Sequence, residues 1–210
     1  MTAVAPAAPR LVLVDRVFPR TWVLDIVLVV AGAAFTALLA QVSIPLQPVP
    51  ITGQTLAVLL VGATLGWARG GAALLLYAVL GLVGLPVYAP QSDGSHLTGL
   101  VALAAPSFGF VIGFIVSAAI VGWLSERTWD RTVLKALATF VGGSVVVFAF
   151  GLPWLAVVLH ATFAQTLEWG LYPFLIGGAI KAAIAAVLLP AAWWGAGRLD
   201  KLRALDANRD

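Results

Sequence analysis

The chain has 210 residues, of which 61% are hydrophobic and 10% charged, and its formal net charge is +3. Soluble domains contain about 25% charged residues, so this composition excludes an ordinary soluble fold and indicates an integral membrane protein. Cysteine is absent, which excludes disulfides, thiolate metal sites and thiol nucleophiles. Zinc-protease, serine-hydrolase and P-loop motifs are also missing, so we expect neither an enzyme nor a bound cofactor.

The N-terminal part begins with a tail and continues into the first apolar run. Residues 1–21 are rich in Pro and Ala and hold no apolar run long enough for a signal peptide. Residues 22–40 predict the first membrane helix. Three prolines in residues 41–54 then prevent a helix and remove backbone donors. Irregular backbone at membrane depth persists only beside protein or a water-filled cavity, so the polar groups of this segment predict a cavity.

Five further helices follow in chain order. The first two are rather short and form a hairpin that turns at residues 68–70, and a polar loop follows them. A less regular segment that starts at Pro153 and runs through Trp169 precedes the last helix. The five helices are predicted at residues 55–67, 71–85, 106–125, 132–150 and 174–194.

Six membrane helices place both termini on one side, and the basic residues indicate which side. Eleven of the twelve Lys and Arg residues fall on the face with the termini, and the loops opposite contain none. The eleven are Arg10, Arg16, Arg20, Arg69, Arg127, Arg131, Lys135, Arg198, Lys201, Arg203 and Arg209. We therefore predict a multi-pass protein of the cell membrane with both termini cytoplasmic. The positive net charge reflects this orientation and not binding to nucleic acid.

Lys181 is the twelfth basic residue and the only charge in the predicted sixth helix. A lysine deep in a membrane helix costs roughly 2.5–3.5 kcal/mol on insertion scales, so such residues usually serve a ligand or a pathway. Gly177 and Ala185 lie one turn to either side, which leaves room for a ligand or for the close approach of another helix. The alternative is a lysine that extends to the nearer membrane interface.

Three predicted external segments, residues 41–54, 86–105 and 151–173, hold most of the Pro, amide and hydroxyl groups. Lys181 is expected beneath them, in the outer half of its helix. A basic group below polar loops suits the capture of an anionic solute from outside. Loops are also polar without any such function, and the aromatic residues near this face fit either an interfacial belt or a ligand wall.

Residues 44–89, which begin IPLQPVPITGQ, resemble the BioY family of biotin-specific substrate-binding subunits of energy-coupling-factor transporters. The resemblance covers about residues 22–197 and is most specific at residues 48–56, 84–87 and 173–181. It implies a membrane subunit that binds biotin from outside. Delivery inward would follow by alternating access, after the subunit docks on a transmembrane coupling subunit with two ATPase subunits.

The resemblance also implies roles for three residues. In the family, an alanine pair of the first helix docks on the coupling subunit, and this pair corresponds to Ala33 and Ala37. The lysine of the sixth helix belongs to the binding site and corresponds to Lys181. Because biotin has a carboxylate, an ammonium group is a suitable partner for it.

Two stretches depart from the family pattern. The family has Pro-Gly-Asp before two apolar residues and the lysine, whereas residues 176–178 here are Ile-Gly-Gly. It has Gly-Pro-Thr-Gly-Gly-Tyr at the fourth helix, whereas residues 105–110 here are Ala-Pro-Ser-Phe-Gly-Phe. Both changes fall in the expected pocket. The ureido ring of biotin needs acceptors for its N–H groups, and Asp93, Glu168 or Gln54 are candidates to replace the missing aspartate.

The sequence therefore predicts an all-α integral membrane protein with six transmembrane helices and irregular external loops. A membrane domain at residues 22–197 is expected between cytoplasmic tails at residues 1–21 and 198–210. The predicted ligand is biotin or a close relative; the alternatives are another small carboxylate-bearing vitamin, and a membrane scaffold or sensor that transports nothing. The predicted ligand-binding residues are Lys181, Gln54, Thr52, Tyr88, Asp93, Ser107, Phe108 and Gly178.

Overall fold

The computed structural model describes residues 12–207, with side chains as far as residue 198, and shows a helical bundle with one small hairpin of strands. Residues 1–11 and 208–210 of the two predicted tails lie outside the described part. The helices are α1 (Leu13–Val17), α2 (Trp22–Gln41), α3 (Gln54–Leu65), α4 (Trp67–Leu82), α5 (Phe108–Ser125), α6 (Val133–Leu159), α7 (Phe163–Gly170) and α8 (Tyr172–Ala207). Strands β1 (Ser43–Ile44) and β2 (Ile51–Thr52) pair antiparallel, and a 3-10 turn (Leu100–Ala104) precedes α5.

Four helices of the described part are long and apolar enough to cross a membrane, namely α2, α5, α6 and the Tyr172–Arg198 part of α8. Helices α3 and α4 are apolar too, but they have only 12 and 16 residues. At 1.5 Å per residue they reach roughly 18 and 24 Å, short of the roughly 30 Å hydrocarbon core. The described residues thus form a mostly helical multi-pass membrane protein with four full-length spans and a shorter helical hairpin.

The turn between α3 and α4 lies at Gly66, so the prediction of a turn at residues 68–70 is wrong. Gly66 has φ +86°, a conformation that glycine adopts at little cost. Gly70 belongs to α4 and allows it to approach α3 closely, because a Cβ at Gly70 would lie 3.0 Å from the Cα of Gly62. The glycine that indicated a turn therefore serves helix packing.

Helix α6 continues through Pro153, although its end was predicted at residue 150. Proline removes one helical hydrogen bond, but the surrounding packing holds the helix in place. Leu155 is fully buried, and Gly151 lies against the ring of Phe110. The helix ends at Leu159, the next residue, His160, has φ +50°, and α7 then forms a short helix before α8.

Both predicted tails contain folded residues. In the N-terminal one, α1 packs against the bundle and Val12 is buried. At the other end, α8 continues to Ala207, beyond the predicted end of the sixth helix at residue 194.

Helix α5 lies at the centre of the bundle. Of its 18 residues 61% are buried inside the protein, against 22% of the most apolar 18-residue stretch in each of the other three long spans. It packs against α3, α4 and α6. Its N-terminal residues, which begin at Phe108, therefore face a space enclosed by several helices.

Candidate ligand-binding cavity

A cavity lies between the N-terminal ends of α3 and α5, the middle of α6, the N-terminal half of α8 and the loops that connect α2 to α3 and α4 to α5. The volume that the centre of a water molecule can occupy inside this cavity is about 90 Å³. One water needs roughly 10–15 Å³ by the same measure, so the space suits a small organic molecule. Seven of the eight predicted ligand-binding residues line it: Thr52, Gln54, Tyr88, Ser107, Phe108, Gly178 and Lys181.

Asp93 is the predicted ligand-binding residue that the structure does not bring to the cavity. It is exposed in the loop after α4, and its carboxylate accepts hydrogen bonds from the hydroxyl of Ser95 at 2.7 Å and from the backbone N–H of Ser95 at 2.9 Å. These bonds hold the pKa of Asp93 below its usual value. Glu168, the other acidic candidate, is exposed on α7 and does not line the cavity either.

Lys181 is half-buried in the cavity wall. Its Nζ donates to the backbone carbonyl of Thr52 and, at 3.1 Å, to the hydroxyl of Thr55. Both acceptors are neutral, and no carboxylate of the described residues forms an ion pair with Lys181. The ammonium is thus positioned by β2 and the start of α3, and its charge lacks a counter-ion in this part of the chain.

A buried hydrogen-bonded chain lies next to the lysine. The hydroxyl of Thr52 donates to Oε1 of Gln54 at 2.7 Å, and Nε2 of Gln54 lies 2.5 Å from the hydroxyl of Tyr77. Tyr77 is fully buried, so this chain ties the start of α3 to α4. Gln54 lines the cavity, but its Oε1 and its Nε2 each already form a hydrogen bond within the protein.

Aromatic residues form the apolar wall of the cavity. The rings of Phe110, Phe148 and Phe174 contact one another with centroids 6.2–6.3 Å apart. Phe108 packs against Trp154 at 5.9 Å. Of these four phenylalanines, sequence reasoning selected only Phe108. The other three come from three different helices, and nothing in the local sequence distinguishes them from residues that face lipid.

Tyr88 fixes the loop after α4 over the cavity. Its hydroxyl donates to the carbonyl of Ala78 at 2.6 Å, and its ring lies against Gly81, where a Cβ would come within 2.2 Å of the ring. The side chain of Gln41 reaches the carbonyl of Tyr88 at 3.4 Å. Burial raises the pKa of Tyr88 to about 12, so the phenol remains protonated at neutral pH.

Gly178 leaves open space beside the lysine. No heavy atom lies within 4 Å of the position that a Cβ would occupy there. Since Gly178 and Lys181 are three residues apart on α8, they lie on the same face of the helix. The cavity therefore extends toward Gly178, and no acidic side chain lines it among the described residues.

Ala33 and Ala37 lie on a separate surface. They line an apolar groove between α2 and the C-terminal end of α4, together with Leu80, Pro86 and Val87. Ala33 is almost fully buried, whereas Ala37 is half-buried. The small side chains keep this groove open, with Ala33 at its base.

Comparison with known proteins gives consistent results. The model of the BioY family matches residues 12–198. A biotin transporter BioY of Rhizobium etli is 39% identical over 174 residues, which cover 78% of this chain and 90% of that protein. The Thermotoga maritima biotin transporter BioY is 35% identical over 162 residues, or 76% of this chain and 91% of that protein.

A solved structure shares the fold. The crystal structure of the S-component for biotin from an ECF-type ABC transporter superposes with a TM-score of 0.69 at 24% sequence identity. The match covers 80% of this chain and 90% of that one.

Proposed function

The chain belongs to the BioY family, and we propose that it is the biotin-binding subunit of a membrane transporter. It takes up biotin from the outer side of the membrane and releases it inward after docking on a transmembrane coupling subunit with two ATPase subunits. The family performs transport, so the chain is not an enzyme. The observation that carries the proposal is a lysine that has no acidic partner among the described residues and lies in the wall of a largely apolar cavity.

Lys181 pairs with the carboxylate of biotin in this proposal. A half-buried ammonium that has only neutral acceptors gains from an anionic ligand, because a charge-assisted hydrogen bond is stronger than a neutral one. The rest of biotin is a hydrocarbon chain and a compact bicyclic ring. The aromatic wall provides a complementary surface for this body.

Six apolar helices cross the membrane, with α3 and α4 as the shorter pair. The β1–β2 hairpin lies between α2 and α3, and we place it within the outer membrane depth, where it compensates for the shortness of α3. Both termini then lie in the cytoplasm, in agreement with the positions of the basic residues. Because the chain has no cysteine, single cysteines at Ser92 and Thr128 should be labelled from opposite sides of the membrane. Labelling of both from one side would contradict this topology.

The groove beside Ala37 is the docking surface for the coupling subunit. Small residues let helices of two subunits approach closely in a membrane. Ala37→Trp should therefore abolish uptake with the coupling subunits present while biotin binding by the isolated subunit persists. Normal uptake, or a loss of binding instead, would contradict this assignment.

The direct test of function is biotin binding by the purified protein, followed by uptake in cells that need external biotin. We expect saturable binding by the subunit alone, and uptake that increases when the coupling subunit and ATPases are co-expressed. A second candidate is a subunit for another small carboxylate, which the absence of an acidic side chain in the described cavity favours. Mass spectrometry of the co-purified small molecule distinguishes the two candidates, and a protein that binds no small molecule would contradict both.

A further inference from the structure

Two polar side chains in the cavity wall have hydrogen-bonding capacity that the protein does not use. Thr52, Gln54 and Thr55 are bonded to one another or to their neighbours, and Ser144 donates to its own helix at 2.9 Å. Gln91 and Ser107 also line the cavity, and their side chains form no hydrogen bond within the described residues. They are therefore available to a ligand.

Gln91 lies at the start of a tight turn that fixes its position. Its N–H donates to the carbonyl of Ser95 at 2.8 Å, and its carbonyl accepts from the N–H of Gly94 at 3.0 Å. The bonds between Asp93 and Ser95 brace the same turn. Asp93, which the sequence indicated as a ligand contact, thus helps to position the loop that presents Gln91.

Gln91 and Lys181 lie near opposite ends of the β1–β2 hairpin. Ser92 accepts a hydrogen bond from Gln47 at 3.2 Å, and Gln47 lies in the connection between β1 and β2. Lys181 instead bonds to Thr52, at the base of the hairpin. Four residues lie between Gln47 and Thr52, so the two positions can be at most roughly 16 Å apart. The cavity thus has a cationic group at one end of the hairpin and a free carboxamide near the other.

The chemistry of a carboxamide matches that of a cyclic urea. A glutamine side chain offers one carbonyl acceptor and two N–H donors. A urea ring presents an N–H donor next to a carbonyl acceptor, so the two groups can form a pair of parallel hydrogen bonds. A hydroxyl such as that of Ser107 has a single donor and does not offer this two-point match.

We propose that Gln91 is the specificity-determining contact for the urea ring of the ligand, with its carboxamide accepting from a ring N–H and donating to the ring carbonyl. This inference rests on the proposed function, because it takes biotin as the ligand. The two ends of biotin are then recognised separately, the carboxylate by Lys181 and the urea by Gln91.

Equilibrium binding to the full-length purified protein tests the inference with three ligands. Biotin has both groups, biotin amide lacks the negative charge, and 2-iminobiotin carries a cationic guanidinium in place of the urea. Gln91→Leu should weaken biotin and biotin amide equally, by roughly tenfold for the loss of two neutral hydrogen bonds. Gln91→Glu should shift the preference from biotin toward 2-iminobiotin, because a carboxylate pairs with a guanidinium.

Gln47→Leu is the matched control, since Gln47 belongs to the neighbouring loop and does not line the cavity. It should leave the affinity for all three ligands within about twofold of wild type. If wild type binds biotin and Gln91→Leu binds it equally well, the inference is overturned while the proposed function stands. If Gln91→Leu lowers the affinity for biotin but not for biotin amide, Gln91 contacts the carboxylate instead. Wild type that binds no biotin would contradict both proposals.

Discussion

The two ends of the bundle hold their buried charges in opposite ways. At the end with the α3–α4 turn, Arg69 pairs with Asp15 at 2.5 Å and with Asp25 at 3.0 Å. At the cavity end, Lys181 has only neutral oxygen acceptors within the described part of the chain. The first cation has its counter-ions in the protein, and in our proposal the second pairs with the ligand.

This difference separates a structural charge from a binding charge. Removing one partner of a buried ion pair leaves the other without compensation, so breaking the pair destabilises the fold. An unpaired charge on a cavity wall contributes little to stability, and its position in a membrane helix points to a ligand. The predictions that follow change one type of charge and use the other as a reference.

The largest expected effect is on stability. Arg69→Met leaves Asp15, whose side chain is 4% exposed, without its closest partner, and should lower the free energy of unfolding by about 3 kcal/mol. Lys181→Met removes a cation that has no acidic partner in the described part of the chain, so it should leave the unfolding free energy unchanged or raise it. Denaturant unfolding in detergent measures both variants.

Arg20→Met is the control for Arg69→Met. Its guanidinium lies 3.9 Å from the same carboxylate of Asp15, but its side chain is 65% exposed. An exposed pair of this kind contributes at most about 1 kcal/mol. Equal losses from the two arginine variants would remove the distinction between the two ends of the bundle.

The next prediction gives Lys181 an acidic partner within the protein. Gly178→Asp places a carboxylate in open space one turn from Lys181, where the two side chains can form an ion pair. The ligand must then compete with an internal partner, so biotin binding should weaken by roughly tenfold. Gly178→Asn is the uncharged control and should change affinity less. A gain of more than about tenfold for the aspartate variant would indicate that the natural ligand is an analogue of biotin.

The sequence predicted a helical membrane protein because hydrophobic runs are local features. The same reasoning placed the turn at residues 68–70, since a glycine that serves packing is indistinguishable in sequence from one that serves a turn. The true turn depends on Gly66 and on the tight contact between Gly62 and Gly70. Helix continuation through Pro153 likewise depends on tertiary packing that no single segment contains.

The candidate site was predictable only in part. Lys181 stands out because a lone charge in an apolar helix is rare. Asp93 was selected for its charge, but its carboxylate is used within its own turn. Gln91 and the phenylalanines of α6 and α8 were missed because their common feature, the cavity, forms only when distant segments pack together.

The smallest expected effect concerns a buried acid at the end opposite the cavity. Asp130 is fully buried, and its Oδ2 accepts from the indole N–H of Trp193 at 2.6 Å. Burial raises the pKa of Asp130, and this outweighs the opposing effects of Trp193 and Arg131. Asp130 therefore keeps its proton to higher pH in the folded state than in the unfolded state. Its contribution to the free energy of unfolding is lost as the pH rises from about 4 through the raised pKa.

Asp130→Asn keeps an acceptor for Trp193 and removes the charge. We expect it to stabilise the protein by about 1 kcal/mol or less at pH 7, with a gain that shrinks as the pH approaches 4. Thermal unfolding across this pH range measures the effect. A variant that is destabilised at neutral pH would indicate that the carboxylate is fully compensated by its surroundings, as in an ion pair.

The most direct test of the central claim compares two ligands on one substitution. Lys181→Ala removes the cation assigned to the ligand carboxylate, and a hydrogen bond to a charged group contributes about 1.5–3 kcal/mol. Isothermal titration should therefore show biotin binding weakened by roughly tenfold to a hundredfold, whereas biotin amide, which lacks the carboxylate, should bind wild type and variant with equal affinity. Equal losses for biotin and biotin amide would contradict the assignment of Lys181 to the carboxylate.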